Sequence, residues 1–230
     1  MIREASCRVY EQVAVRQGLG ETLRPGGLAL TERALEVCDL PAGARVLDVG
    51  CGAGATVQYL QQWGYRAGGV DLSALLLREG RQKGPDLTFL QADGVCLPLA
   101  DAQMDAVLAE CSLSGLANTD AALVEFYRLL RRGGYLVVSD VYARNPAGLP
   151  LLRTLPAAFC LSGAISQTEL VAQLTQLGFE LVLWEDHSEV LRQVAGPLLP
   201  VQFSGLEALD AQLALAKAKP GYFLLIARKE

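Results

Sequence analysis

The sequence contains one histidine, His187, so it offers little for Ser-His-Asp catalysis or for a metal site built from several histidines. Its six cysteines include no C-x-x-C pair, which argues against a disulfide scaffold and against a structural zinc site. Basic residues do not dominate either, because 20 Lys and Arg stand against 25 Asp and Glu and the net charge is −5. We therefore expect no nucleic-acid partner.

Long apolar runs are missing as well. Gly, Pro or a charged residue interrupts every run before it could span a bilayer, and the opening residues MIREASCRVY lack the apolar core and cleavage site of a signal peptide. A composition of 51% hydrophobic and 20% charged residues over 230 residues suits one globular domain. These features predict a cytoplasmic protein with no membrane insertion. A monomer or a homodimer is expected, and the sequence does not select between them.

From residue 44 onward, short apolar runs alternate with longer amphipathic stretches, as expected for a parallel sheet covered by helices. The final two strands lack a crossover helix of the βαβ type, which predicts an antiparallel finish to the sheet. The predicted strands are 45–49, 67–70, 87–91, 104–109, 135–139, 179–184 and 222–227.

Helices and connecting segments complete the predicted single domain, residues 1–230. Residues 1–40 form a helical lead-in that could cover a ligand as a lid, and 141–165 form an insertion at an acceptor site. A helix over 120–131 ends at Gly133-Gly134. A late helix is expected to present an apolar face made by Leu206, Leu209 and Leu213.

The most informative stretch is VLDVGCGAG at 46–54, where a strand reverses sharply into a helix. Glycines there allow positive φ values and let the backbone approach a ligand closely. Asp71 follows by the roughly 20 residues expected of a carboxylate that binds a ribose diol. Because Gly50-x-Gly52-x-x-Ala55 also fits the dinucleotide fingerprint, the glycines alone do not select the cofactor.

Four acids fall at the carboxyl ends of predicted strands, where ligands of such sheets bind: Asp48, Asp71, Asp93 and Glu110. A cluster this acidic would repel a pyrophosphate and attract a cationic sulfonium. The charge pattern therefore favours S-adenosylmethionine (SAM) over NAD.

Residues 44–140 resemble the class I SAM-dependent methyltransferases of the UbiE, or type 11, kind. The resemblance is carried by VLDVGCGAG, GGVDLS, QADGVCLPLADAQMD and FYRLLRRGGYLVVSD, although Arg131-Arg132 replaces the usual Lys-Pro. It implies an α/β fold, a Rossmann-like three-layer sandwich whose seven-stranded, mostly parallel sheet has an antiparallel last strand. It also implies a small-molecule methyl acceptor and S-adenosylhomocysteine as the product.

The resemblance further implies roles for individual residues. Asp48 and the loop of Gly50, Cys51, Gly52 and Gly54 would hold the methionine part of SAM. Asp71 and Leu72 would lie at the ribose, Asp93 and Gly94 at the adenine, and Glu110 at the same edge of the sheet.

Two further segments, AECSLS at 109–114 and FCLSGAI at 159–165, are similar to the cysteine-bearing segments of arsenite methyltransferases. That similarity implies that Cys111 and Cys160 hold trivalent arsenic, which suits soft thiolate ligands. Here Glu110 replaces the usual Asn, and the family's further N-terminal cysteine is not identified. The alternative is that both cysteines are ordinary buried thiols lining a substrate pocket.

Two other readings of the whole chain stay open. One is an NAD-dependent oxidoreductase, which would need a proton donor that the lone His187 does not convincingly supply. The other is a non-catalytic module that binds SAM without methyl transfer.

Overall fold

The computed structural model describes residues 10–12, 20–155, 160–193 and 206–230. The predicted lead-in (1–40) and insertion (141–165) therefore lie partly outside the described residues, as do Phe159 and the other residues of 156–159. None of the helices in the described ranges is both long and apolar enough to cross a membrane.

Seven strands of the described chain form one sheet in the order β3-β2-β1-β4-β5-β7-β6. β7 is antiparallel to both of its neighbours, while the other adjacent pairs are parallel, so the predicted fold class is confirmed. The strands are β1 (Arg45–Val49), β2 (Arg66–Asp71), β3 (Thr88–Gln91), β4 (Met104–Glu110), β5 (Leu130–Ala143), β6 (Phe179–Asp186) and β7 (Pro220–Lys229).

Helices cover both faces of this sheet. They are α1 (Ala29–Cys38), α2 (Ala55–Gln62), α3 (Ala74–Lys83), α4 (Thr119–Leu129), α5 (Leu149–Leu152), α6 (Gln167–Leu177) and α7 (Leu206–Ala218). Leu47 packs in the cluster that contains residues of α4 and α6, whereas its neighbour Val46 packs with residues of α1, α2 and α3. Because successive strand residues point to opposite faces, the sheet forms the middle of three layers.

The prediction for Gly133-Gly134 is wrong, because these glycines do not end a helix. The helix α4 stops at Leu129, and β5 begins at once with Leu130 and runs through both glycines. Leu130 pairs with Met104 before the register shifts to Tyr135 opposite Ala106, so an irregular stretch of strand contains the glycines.

The predicted apolar face of α7 is also wrong. Leu209 and Leu213 are 62% and 61% exposed, and the buried residues of this helix include Ala211, Ala214 and Ala218. Helix α7 packs closely on the turn before α5, since a Cβ placed on Gly148 would lie 2.6 Å from the Cβ of Ala218. Only small side chains permit an approach this close.

Candidate functional site

The turn after β1 needs glycine at two positions. Gly50 has φ +82° and Gly54 has φ +81°, a region that other residues rarely adopt. A Cβ on Gly50 would overlap Ser112, with 2.9 Å to its Oγ, and a Cβ on Gly54 would lie 2.6 Å from the ring of Phe89. At both glycines the backbone of the turn therefore packs directly against neighbouring segments and leaves no room for a side chain.

Asp71, the last residue of β2, holds this turn in place. Its carboxylate accepts hydrogen bonds from the backbone N–H of Gly52 and of Ser73, each at 2.8 Å. Burial raises the pKa of Asp71, and these two N–H donors oppose that rise. Since a carboxylate has about four acceptor positions, acceptor capacity remains for a ligand. The next residue, Leu72, is 36% exposed at the same edge.

Asp48 is 3% exposed within β1. Burial raises the pKa of its carboxyl group to about 8, and the nearby charge of Glu110 adds to the rise while that of Arg24 opposes it. A positive charge that approaches Asp48 would favour the ionised form of its carboxyl group.

Glu110, at the end of β4, belongs to a buried network with the turn before α1. Arg24 forms an ion pair with it at 2.9 Å, and the two side chains are 5% and 1% exposed. Thr31 and Thr56 donate their hydroxyl hydrogens to the two carboxylate oxygens at 2.8 and 3.1 Å. The sequence analysis did not identify Arg24 as a residue of this site.

These residues line a single cleft at the carboxyl edge of the sheet. It contains about 1050 Å³ of empty space, including the part open to solvent. The predicted residues on its wall are Asp48, Gly50, Cys51, Gly52, Asp71, Leu72, Asp93, Gly94, Glu110 and Cys111. Gly54 supports the turn behind the wall. Small-molecule sites are typically concave clefts with a few convergent polar groups, as this one is.

Cys111 lines the cleft, and Cys160, which is not among the described lining residues, lies directly beside it. Their Sγ atoms are 3.5 Å apart, and the hydroxyl of Tyr10 lies 2.7 Å from the Sγ of Cys160 and 3.7 Å from that of Cys111. The hydrogen bond with Cys160 and burial both raise the pKa of the Cys111 thiol. The structure thus brings together two cysteines that are 49 residues apart in the chain.

Tyr10 and Glu11 reach two places on the cleft. While Tyr10 contacts the cysteines, Glu11 accepts a hydrogen bond of 2.6 Å from the hydroxyl of Ser73, next to Asp71. His187 lies elsewhere, 3.0 Å from Glu185 and away from the described wall of the cleft.

Comparison with known proteins gives consistent matches. Residues 47–138 match a family model described as a methyltransferase domain. The chain is 38% identical over 110 residues to malonyl-[acyl-carrier protein] O-methyltransferase of Enterobacter lignolyticus, covering 48% of this chain and 43% of that protein. It is 30% identical over 162 residues to demethylmenaquinone methyltransferase of Corynebacterium urealyticum, covering 68% and 67%. The chain thus spans less than half the length of the first relative and about two thirds of the second.

A solved structure shares the fold. Phosphoethanolamine N-methyltransferase 2 of Haemonchus contortus, in complex with phosphomonomethylethanolamine and S-adenosylhomocysteine, matches with a TM-score of 0.76 and 17% identity. The match covers 100% of this chain and 60% of that chain.

Proposed function

The chain belongs to the class I SAM-dependent methyltransferases, and we propose that it transfers the methyl group of SAM to a small-molecule acceptor. The observation that carries this proposal is the meeting of the glycine turn with Asp48, Asp71 and Asp93 on the wall of one cleft. Bound SAM would supply an electrophilic methyl group on a positively charged sulfur.

The chain's own residues fit such a ligand. Asp71 has acceptor positions left for ribose hydroxyls, and buried Asp48 suits the ammonium group of the methionine part. Arg24, which also lines the cleft, has an Nε without a hydrogen-bond partner among the described residues. A buried donor in this state is unusual, and a ligand carboxylate would satisfy it.

Catalysis in this proposal is mainly positioning. The cleft would hold the acceptor lone pair in line with the methyl group, and no side chain needs to form a covalent intermediate. The buried acids would favour a cationic ligand over a pyrophosphate, which argues against the NAD-dependent alternative.

Isothermal titration tests the cofactor. We expect SAM to bind and NADH not to bind. Asp71→Asn weakens SAM binding roughly tenfold to a hundredfold, because a hydrogen bond to a charged group contributes about 1.5–3 kcal/mol. The matched control is Asp86→Asn at an exposed position, which leaves the affinity unchanged. Binding of NADH instead of SAM would overturn the proposal, and SAM binding without turnover on any acceptor would favour a non-catalytic module.

For the acceptor, we propose a soft, thiophilic atom held at Cys111 and Cys160, as in arsenite methylation. The 3.5 Å separation of the two Sγ atoms supports this version, because two thiolates that close can bind one soft atom. The trivalent arsenic would keep a lone pair available for the methyl group.

The acceptor is tested by arsenite-dependent formation of S-adenosylhomocysteine from SAM. We expect Cys111→Ser and Cys160→Ser to abolish the arsenite-dependent rate while SAM binding persists. Cys96→Ser, which changes an exposed free cysteine, is the matched control and keeps the rate. Activity on arsenite that survives both substitutions, or its absence in the wild type, removes this version and leaves the general methyltransferase proposal in place.

A further inference from the structure

A third potential ligand lies beside the two thiols. The Sγ atoms of Cys111 and Cys160 and a carboxylate oxygen of Asp140 all lie within 4.8 Å of one another. Asp140 is 2% exposed and Cys160 is 7% exposed, whereas Cys111 is partly exposed and lines the cleft. Asp140 ends the segment FYRLLRRGGYLVVSD, but neither the sequence analysis nor the methyl-transfer proposal gives it a role.

The spacing of the thiols suits a tetrahedral metal ion. With Zn–S bonds of about 2.3 Å and a tetrahedral angle, two thiolate ligands lie about 3.8 Å apart. The observed Sγ–Sγ separation of 3.5 Å differs from that by only a few tenths of an ångström. Little movement is needed for both sulfurs to bind one ion.

The carboxylate of Asp140 is held in a fixed orientation. The hydroxyl of Ser114 donates to its Oδ1 at 2.6 Å, and the backbone N–H of Val141 donates to the same oxygen at 2.7 Å. Its Oδ2 accepts from the backbone N–H of Ser114 at 2.9 Å. Such hydrogen bonds characteristically orient carboxylates that bind metal ions.

Both cysteines are held in an uncommon backbone conformation. Cys111 has φ +56° and Cys160 has φ +64°, and a residue other than glycine in this region costs of order 1–3 kcal/mol. The two segments also meet closely, since a Cβ on Gly163 would lie 2.7 Å from the carbonyl carbon of Ser114. Strain of this kind is typical of functional sites.

We propose that Cys111, Cys160 and Asp140 form a three-ligand site for a thiophilic divalent cation with a filled d shell, such as Zn²⁺. On binding, the two thiol protons leave to solvent, two sulfur–metal bonds form, and the carboxylate donates a lone pair without any change of oxidation state. The hydroxyl of Tyr10, a residue that lines the cleft, lies near both thiols, and sites with three protein ligands admit water or substrate at a fourth position.

This cation would use the same two thiols as the proposed arsenite acceptor, so the two ligands exclude each other. The cation-site proposal is nevertheless independent of methyl transfer, because it depends on the three side chains and not on SAM binding. Two thiolates and one carboxylate outweigh the charge of a divalent cation by one negative unit. The occupied site would therefore remain compatible with a cationic ligand in the cleft.

The test uses reduced, metal-free full-length protein and Cd²⁺ as the probe. Binding is followed by calorimetry and by the ultraviolet absorption of thiolate–cadmium bonds. We expect one equivalent to bind to the wild type and to Cys96→Ser. The absorption is lost in Cys111→Ser and in Cys160→Ser. Asp140→Asn keeps the absorption but binds Cd²⁺ at least tenfold more weakly, and Asp140→Glu recovers part of the affinity.

A second comparison separates a ligand from a structural role of Asp140. Ser114→Ala removes a hydrogen bond to the carboxylate while keeping the carboxylate, so it should weaken Cd²⁺ binding less than Asp140→Asn does. Unfolding midpoints and SAM affinities of all variants show whether each one is folded.

Three results overturn the site: wild-type affinity in Asp140→Asn, no Cd²⁺ binding by the wild type, or equal binding after both cysteines are replaced. Cd²⁺ binding without arsenite-dependent turnover leaves the cation site intact and removes only the proposed acceptor.

Discussion

Replacing Gly50 with alanine tests whether the turn after β1 must approach its neighbours without a side chain. Two separate costs arise. An alanine at φ +82° adopts the left-handed region at about 1–2 kcal/mol. Its Cβ would also overlap Ser112, with 2.9 Å to the Oγ, and such overpacking costs about 1–3 kcal/mol. Together these costs predict a loss of about 2–5 kcal/mol in the free energy of unfolding.

Gly64 provides a matched control. It has φ +84°, but a Cβ there would meet no described atom within 4 Å. Gly64→Ala should therefore lose only the conformational cost, about 1–2 kcal/mol. The effect of a methyl group on the unfolded chain is the same in both variants and cancels in the comparison.

Urea unfolding and SAM titration, performed on both variants, give the two readouts. We expect Gly64→Ala to bind SAM like the wild type and Gly50→Ala to bind it at least tenfold more weakly, because the displaced Ser112 segment and turn both line the cleft. Equal unfolding free energies for the two variants would refute the reasoning, as would unchanged SAM affinity in Gly50→Ala.

Three further predictions concern buried charge and helix packing. Arg24→Met leaves Glu110 buried without its cation and should lower the free energy of unfolding, measured with urea, by about 3–5 kcal/mol. Adding Glu110→Gln to that variant should recover more than half of the loss. A loss below about 1 kcal/mol in Arg24→Met would contradict the importance of this ion pair. Burial and Glu110 raise the pKa of Asp48 from 3.8 to about 8 in the folded protein. The contribution of Asp48 to the free energy of unfolding is therefore fully present below about pH 4, where both states hold the proton, and is lost as the pH rises through about 8. Asp48→Asn should therefore gain thermal stability relative to the wild type from pH 5 to pH 9, and parallel profiles would argue against the raised pKa. On α7, Leu213→Gln changes an exposed side chain and should alter the free energy of unfolding by less than about 0.5 kcal/mol, whereas Ala214→Leu enlarges a buried one and should lower it by about 1–3 kcal/mol. A larger loss in Leu213→Gln than in Ala214→Leu would contradict the observed helix face.

The sheet could be predicted from the sequence because its signals are local. Each buried strand is a short apolar run, and glycine or a capping residue marks the next change of direction. Ser73, for example, is a residue type that commonly caps helices, and its hydroxyl accepts from the N–H of Leu76 at the start of α3. The acids at the carboxyl edge follow from the same regularity, since parallel strands all end on one side.

The errors occur where tertiary contacts outweigh local preference. Gly133-Gly134 resembles a helix stop, yet pairing of Leu130 with Met104 draws the chain into β5 earlier. Leu209 and Leu213 have the spacing of a buried face, yet close packing against α5 selects the alanines of α7 instead. Propensity is a weak guide in both situations.

Contacts between distant segments had no signal in the sequence. Arg24 and Glu110 are 86 positions apart, and Tyr10 meets Cys160 across 150 positions. No periodicity relates such residues, so their pairing depends on the path of the whole chain. Asp140 was visible only as part of a motif, because its approach to the thiols requires the segment around Gly163 to fold back.

The position of β7 has a consequence for biosynthesis. The ribosome synthesises β7 after both of the strands that it separates. Until β7 is present, the backbone N–H and C=O groups of β5 and β6 that later pair with it have no strand partner. About 43 residues lie between Asp186 and Lys229, which at ~5–20 residues per second corresponds to roughly 2–9 seconds on the ribosome. During that interval the apolar edge of β5 could recruit a strand from a neighbouring nascent chain. Demand for chaperones should therefore be highest while the segment between Asp186 and β7 is being synthesised.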